Sequence, residues 1–189
     1  MYKRQGLKTK HGYQAEELIS ALQKLIRRAE TERAATVAME CCMSSEALED
    51  FVWKRLKAIC VEDIGMGQPQ AAPVIDSLDH FRKDFEYGES DRWMFTVHAV
   101  RYLCLCDKNR DSCNLKSLIK RKLENDPQCI ELPDFVYDMH TEKGRAMGRG
   151  YLHFLDEASK VIPEVQVEEN TWKQQLRPMM TEKQEGTPE

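Results

Sequence analysis

Apolar residues return every three or four positions along most of this chain, the spacing of helices with one face turned inward. Between Tyr13 and about Arg33, Leu18, Leu22, Leu25, Ile26 and Ala29 share a face, with charges opposite. A second helix, about Arg33 to Met43, is rich in Ala, Met and Cys, and its small residues permit close packing in an αα-hairpin. The next begins on a serine cap at Ser45 and carries Phe51, Trp53, Leu56, Ile59 and Cys60 on a broad apolar face. It ends on an acidic pair, Glu62 and Asp63, followed by Gly65 and Pro69, a stop signal. Beyond a proline-bounded loop, Val74, Leu78, Phe81 and Phe85 form a stripe that stops near Gly88. Asp91 caps a helix of about Arg92 to Cys106 that is apolar on nearly every side, as suits a core or an oligomer interface. After the polar segment DKNRDS, Leu115, Leu118, Ile119 and Leu123 mark an amphipathic helix, and Thr141 to Val161 a last one. The pattern predicts an all-α array of about six to eight helices. Residues 13–163 are expected to form the domain, with residues 1–12 a disordered or artefactual N-terminus and 164–189 an extended or disordered tail.

Composition narrows the functional classes. A chain of 189 residues supports one full core. With 28 Lys and Arg against 32 Asp and Glu, the surface as a whole does not attract nucleic acid, so any such contact is a local patch. Lys108, Arg110, Lys116, Lys120 and Arg121 make the best one. The seven cysteines lack a disulfide spacing; five of them (Cys41, Cys42, Cys60, Cys104, Cys106) fall in apolar helical stretches and read as reduced core residues of a cytoplasmic protein. No apolar run reaches the roughly 20 residues of a membrane span, and no signal peptide is recognised. No Gly-x4-Gly-Lys-Ser/Thr segment occurs, so nothing here cradles the phosphates of ATP.

Two places carry candidate chemistry. Glu62 and Asp63 stand at the end of an apolar helix, and carboxylates placed there need cationic partners. Arg55, Arg145 and Arg149 are the bases the sequence offers. Gly144 and Gly148, four apart, suggest a helix face on which another backbone packs closely, with Arg145 and Arg149 as a positive stripe for carboxylate or phosphate. His140, His153 and Glu157 lack a convincing fourth ligand, so no metal site is assigned. His98 reads as a satisfied core histidine.

The run from Trp53 and Arg55 through Ile59-Cys-Val-Glu-Asp-Ile-Gly65 to Pro69 resembles the C-terminal helical domain of the RarA/MgsA group of AAA+ ATPases. Lys108-Asn109-Arg110 looks like that family's short loop, and His140-Thr141 with Gly144 like a later motif. Cys60-Val61 and Met66-Gly67 depart from the usual residues. The resemblance implies an all-helical fold of the clamp-loader C-terminal type, acting as a homo-oligomerisation domain, typically a tetramer, in DNA replication, recombination or repair. It implies no cofactor and no catalysis in this domain, and it brings in a separate AAA+ ATPase, replication proteins and DNA as expected partners. Trp53, Arg55, Glu62 and Asp63 are expected to organise the core with Arg145 or Arg149 as ion partners, and the Arg92–Cys106 helix to supply interface area. The rival reading is an all-α magnesium-dependent nucleotide pyrophosphohydrolase, with Glu46, Glu49, Asp50, Glu62 and Asp63 as its acidic cluster.

Overall fold

The computed structural model describes residues 6–165 and 172–184. Among these the fold is helical throughout, apart from an isolated antiparallel bridge between Lys8 and Gln14. Two compact units divide the chain, Met1–Asn125 and Asp126–Glu189, inside the span expected to be one domain. The division falls at the Asp126-Pro127 signal, directly after a helix that buries none of its residues.

In the first unit, α1 (Ala15–Arg27), α2 (Thr31–Cys42), α3 (Glu46–Ile59), α4 (Ala71–Phe81) and α5 (Ser90–Leu105) enclose one core. The small residues of α2 explain its central place. Ala34, Ala38, Cys41 and Cys42 are fully buried, and α2 packs against α1, α3 and α5. α3 starts where the serine cap requires, with Ser45 Oγ accepting from the Leu48 amide. Its Trp53 is buried and donates from Nε1 to Thr96 Oγ1 at 3.1 Å, which satisfies the indole inside an apolar core. Burial pushes the Cys41 thiol up to about 11 and those of Cys42 and Cys60 to about 12, so all three stay protonated at neutral pH.

Three expectations are corrected. Residues 7–14, which include the second half of the expected disordered N-terminus, form a turn seated on the end of α2: the Lys10 amide donates to Ser44 Oγ, and His11 Nδ1 lies 2.6 Å from Glu40 Oε2. α5 is not apolar all round. It buries Arg92, Thr96, Ala99, Val100, Leu103 and Cys104 on one side and exposes Met94, His98 and Leu105 on the other. His98 is therefore a surface residue, because it lies two positions off the buried register of Thr96 and Val100.

In the second unit, the single helix expected from Thr141 to Val161 is broken. α7 (Glu142–Ala146) ends before Gly148, whose φ of +71° is left-handed and stops the helix. α8 (Tyr151–His153) restarts it and widens into a π turn over Phe154–Ala158. α9 (Trp172–Gln184) lies within the expected tail, while residues 1–5, 166–171 and 185–189 of the expected N-terminus and tail lie outside the described residues. No helix among the described residues is long and apolar enough to cross a membrane.

α6 (Asp111–Asn125) closes the first unit. It presents Leu115, Leu118, Ile119 and Leu123 to solvent at 56%, 51%, 46% and 40% exposure. That is the full apolar stripe of an amphipathic helix, left uncovered.

Candidate functional site

The acidic pair sits where α3 changes character. After Ile59 the helix widens into a π turn, Cys60–Ile64, and then tightens into a 3-10 turn, Gly65–Gly67. The wider turn carries Asp63 inward to complete burial and leaves Glu62 partly open. Gly65 has φ +52°, and a Cβ placed on it would lie 2.3 Å from the Asn109 carbonyl oxygen. One on Gly67 would lie 2.5 Å from the carbonyl of Asp107. The two glycines thus let the 107–109 backbone lie against the turn, and the Asn109 amide donates to the Ile64 carbonyl at 3.0 Å. Pro69 follows in the turn that leads into α4.

Asp63 is met from three directions. Gln23 Nε2 donates to Oδ2 at 2.7 Å, Arg27 Nε to Oδ1, and Arg110 Nε lies 3.0 Å from Oδ1. Glu62 Oε1 takes Arg27 Nη2 at 3.2 Å, with Arg110 Nη2 at 3.7 Å. Two arginines on two carboxylates make a balanced staple that ties α1 and the loop before α6 to the end of α3. Arg55 joins at one remove: its Nη1 donates to Gln23 Oε1, which fixes the amide that serves Asp63. The expected partners are corrected accordingly. Arg27 and Arg110 hold the acidic pair, whereas Arg145 and Arg149 are committed inside the second unit. Arg149 grips both carboxylate oxygens of Asp134 at 2.8 and 2.7 Å and donates to the carbonyls of Asp134 and Tyr137. Arg145 donates to the carbonyl of Met139.

The remaining acids of the rival cluster belong to a second network. Glu49 is wholly buried and takes Arg92 Nε at 2.9 Å and Arg92 Nη2 at 2.8 Å. Arg82, 1% exposed, brings Nη1 to 3.1 Å of Glu49, too poorly aligned to hydrogen-bond. Its Nε and Nη2 donate to Asp79 and Asp50, each at 2.7 Å, and its guanidinium lies 5.2 Å from the Trp53 ring centroid. Arg92 also reaches Glu46 and the Phe85 carbonyl, and Lys57 reaches Asp79 at 2.7 Å. Burial works to raise the Asp79 carboxyl, but hydrogen bonds from Lys57 and Arg82 outweigh it and hold the group below the ordinary aspartate range. The Glu49 hydrogen bond raises the Arg92 guanidinium further. The carboxylates of Glu46, Glu49, Asp50, Glu62 and Asp63 are thus all taken by guanidinium groups, so this cluster does not form the open cation cage that the pyrophosphohydrolase reading needs.

The His140 motif builds a turn. Asp138 accepts from the His140 amide and lies 2.9 Å from His140 Nδ1, and that histidine bond holds its carboxyl low. Thr141 caps α7 by accepting from the Gly144 amide at 3.0 Å. A Cβ on Gly144 would fall 1.9 Å from the Asp138 carbonyl oxygen. The close backbone expected at Gly144 is real, and it comes from six residues upstream; Gly148 has open space around it and serves its φ instead.

Of the five bases proposed for phosphate, two are spoken for. Lys108 Nζ caps the end of α5 on the carbonyls of Cys104 and Cys106, and Arg110 holds Asp63. Lys116, Lys120 and Arg121 remain exposed on α6. Sequence reasoning missed Gln23, Arg27, Arg82 and Arg92. The one signal was Arg92, a base in the first turn of a helix rich in apolar residues.

The π-turn staple, its glycine seat and the 107–110 loop coincide with the motifs that resemble the AAA+ C-terminal domain. The family model for the MgsA AAA+ ATPase C-terminal region matches residues 32–187. The chain belongs to that family. No curated protein matches it. The all-α fold is that of the MgsA C-terminal domain, and within it the acidic pair is a fastening among helices.

Proposed function

We propose that this chain is a non-catalytic helical module through which copies of an MgsA-type assembly associate, in the service of DNA replication, recombination or repair. The observation that carries the reading is α6: a helix of 15 residues with none buried and four large aliphatic side chains in one exposed stripe. A stripe of that kind in water is an interface awaiting a partner. It takes the place of α5, whose apolar side is spent on the core. Membership in an AAA+ family supports an assembly role, since the matched region is the C-terminal part of such ATPases and the sequence holds no P-loop. A tetramer is the expected stoichiometry, a separate AAA+ ATPase or replication protein the expected company, and the cytoplasm the expected compartment, in keeping with seven unpaired cysteines. Sedimentation equilibrium on the full chain across the micromolar range tests the reading. Mass above the monomer, lost on changing Ile119→Glu while the helical signal is kept, supports it; a monomer at every concentration refutes it.

A further inference from the structure

We propose that copies join head to tail, with α6 of one chain seated in the groove between α4 and α5 of the next. This rests on the self-association reading and names the two faces that meet. The groove is apolar, with Leu78, Phe85 and Phe95 on its floor and Met94, His98 and Asp91 on its walls. Phe81 stands beside it, half exposed, its ring centroid 6.4 Å from that of Phe95, and the Phe85 ring lies 5.6 Å from Phe95. Exposed aromatic and methionine side chains around a concave floor are the usual lining of a helix-binding groove.

Charge selects the occupant. The segment 84–91, DFEYGESD, carries Asp84, Glu86, Glu89 and Asp91 with no Lys or Arg, all four exposed, and its Phe85 and Asp91 line the groove. The segment 116–122, KSLIKRK, carries Lys116, Lys120, Arg121 and Lys122 with no acid, all exposed on α6. At 3.6 residues per turn, Lys122 falls within the stripe of Leu115, Leu118, Ile119 and Leu123, while Lys116 and Arg121 flank it. An apolar ridge with basic edges thus matches an apolar groove that an acidic segment helps to line. Pairing of α6 with its own copy would bring Lys122 and its neighbours against like charge, which the head-to-tail contact avoids. Such a contact joins two different patches, so a growing assembly keeps one free ridge and one free groove at its ends until a ring closes.

Two exposed substitutions test this on the full chain, with circular dichroism to verify the fold. Ile119→Glu disables the ridge and Met94→Glu the groove. Each alone should weaken association by about tenfold or more, as loss of a central anchor does. Mixed in equal amounts, the two variants retain one good face each, and the expected product in sedimentation velocity is a heterodimer that grows no further. Assembly of Met94→Glu indistinguishable from the unaltered chain overturns the groove assignment, and so does a mixture that stays monomeric. A charge swap checks the register: Lys122→Glu and Asp91→Lys should each weaken the assembly, and both in one chain should restore it; failure of that rescue counts against the proposal. If the unaltered chain is itself monomeric, the self-association reading falls, whereas an intact assembly with an indifferent groove sinks the head-to-tail contact alone.

Discussion

Changing Glu49→Gln separates an ion-paired core from a cation site by the sign of its effect. Glu49 is fully buried between Arg82 and Arg92. The substitution keeps the volume and removes the charge. Arg82 keeps Asp79 and Asp50, and Arg92 keeps Glu46 and the Phe85 carbonyl, so neither guanidinium is stranded outright. Removing one partner from a buried pair costs about 3–5 kcal/mol. The surviving bonds put Glu49→Gln at the lower end, about 3 kcal/mol. For a chain of this size that lowers Tm by about 6–12 °C. The assay is thermal unfolding followed by circular dichroism at neutral pH, repeated with millimolar magnesium. An acidic cluster built for a cation behaves in the opposite way: without the metal, deleting a carboxylate relieves repulsion and raises Tm, and magnesium stabilises the unaltered chain. A rise in Tm for Glu49→Gln, or a magnesium-dependent Tm for the unaltered protein, would refute the ion-pair assignment.

Three further outcomes are expected. Gly65→Ala puts a Cβ at φ +52° and 2.3 Å from the Asn109 carbonyl, so it should cost about 1–3 kcal/mol or more in urea unfolding; a neutral result would mean the 107–110 loop does not rest on the turn. Asp79 titrates below its ordinary value, so its contribution is complete above about pH 3.9 and disappears as pH falls through the lower folded-state value. The stability gap between the unaltered chain and Asp79→Asn should therefore shrink toward acid, and a gap constant with pH would contradict this. With Lys116, Lys120, Arg121 and Lys122 exposed on α6, any binding of duplex DNA through this helix should show a log–log salt slope no steeper than about −4. A slope near about −5 would require Lys108 and Arg110 to leave their internal bonds.

Much of this fold was legible in its periodicities, because a helix that buries a stripe announces both its length and its face. Ser45 as a cap, Trp53 as a core anchor and Gly65 as a stop are each local facts, settled within a few residues. Pairing was not legible, for a physical reason. Glu62 and Asp63 needed bases, but every arginine in the sequence was a formal candidate. Arg27 sits in the last turn of α1, on what reads as a solvated face, and only the approach of α1 to the π turn makes it a partner. The π turn itself has no marker in the sequence, and without it Asp63 would be rotated away from Gln23 and Arg27. The single last helix failed because Gly148 was read by its spacing from Gly144, when its conformation was the deciding property.

The misplaced apolar surface leads to the assembly question. α5 has the more continuous apolar sequence, and α6 the more charged one, so composition assigns the interface to α5. The core reverses that assignment. α5 packs against α1, α2, α3 and α4, and its apolar excess is consumed there. α6 follows a loop fastened by Lys108, Asn109 and Arg110, and it packs on the first unit at the π turn. Fixing the start of α6 while leaving its stripe bare gives a rigid, exposed ridge. A mobile helix would lose entropy on docking, and a ridge held by the acidic-pair staple loses less. Weakening the staple should thus weaken assembly at a distance from the interface. Asp63→Asn, chosen at conditions where the chain stays folded, is expected to raise the dissociation constant of the assembly while Leu115, Leu118, Ile119 and Leu123 remain intact. An unchanged dissociation constant would show that α6 docks without help from the staple.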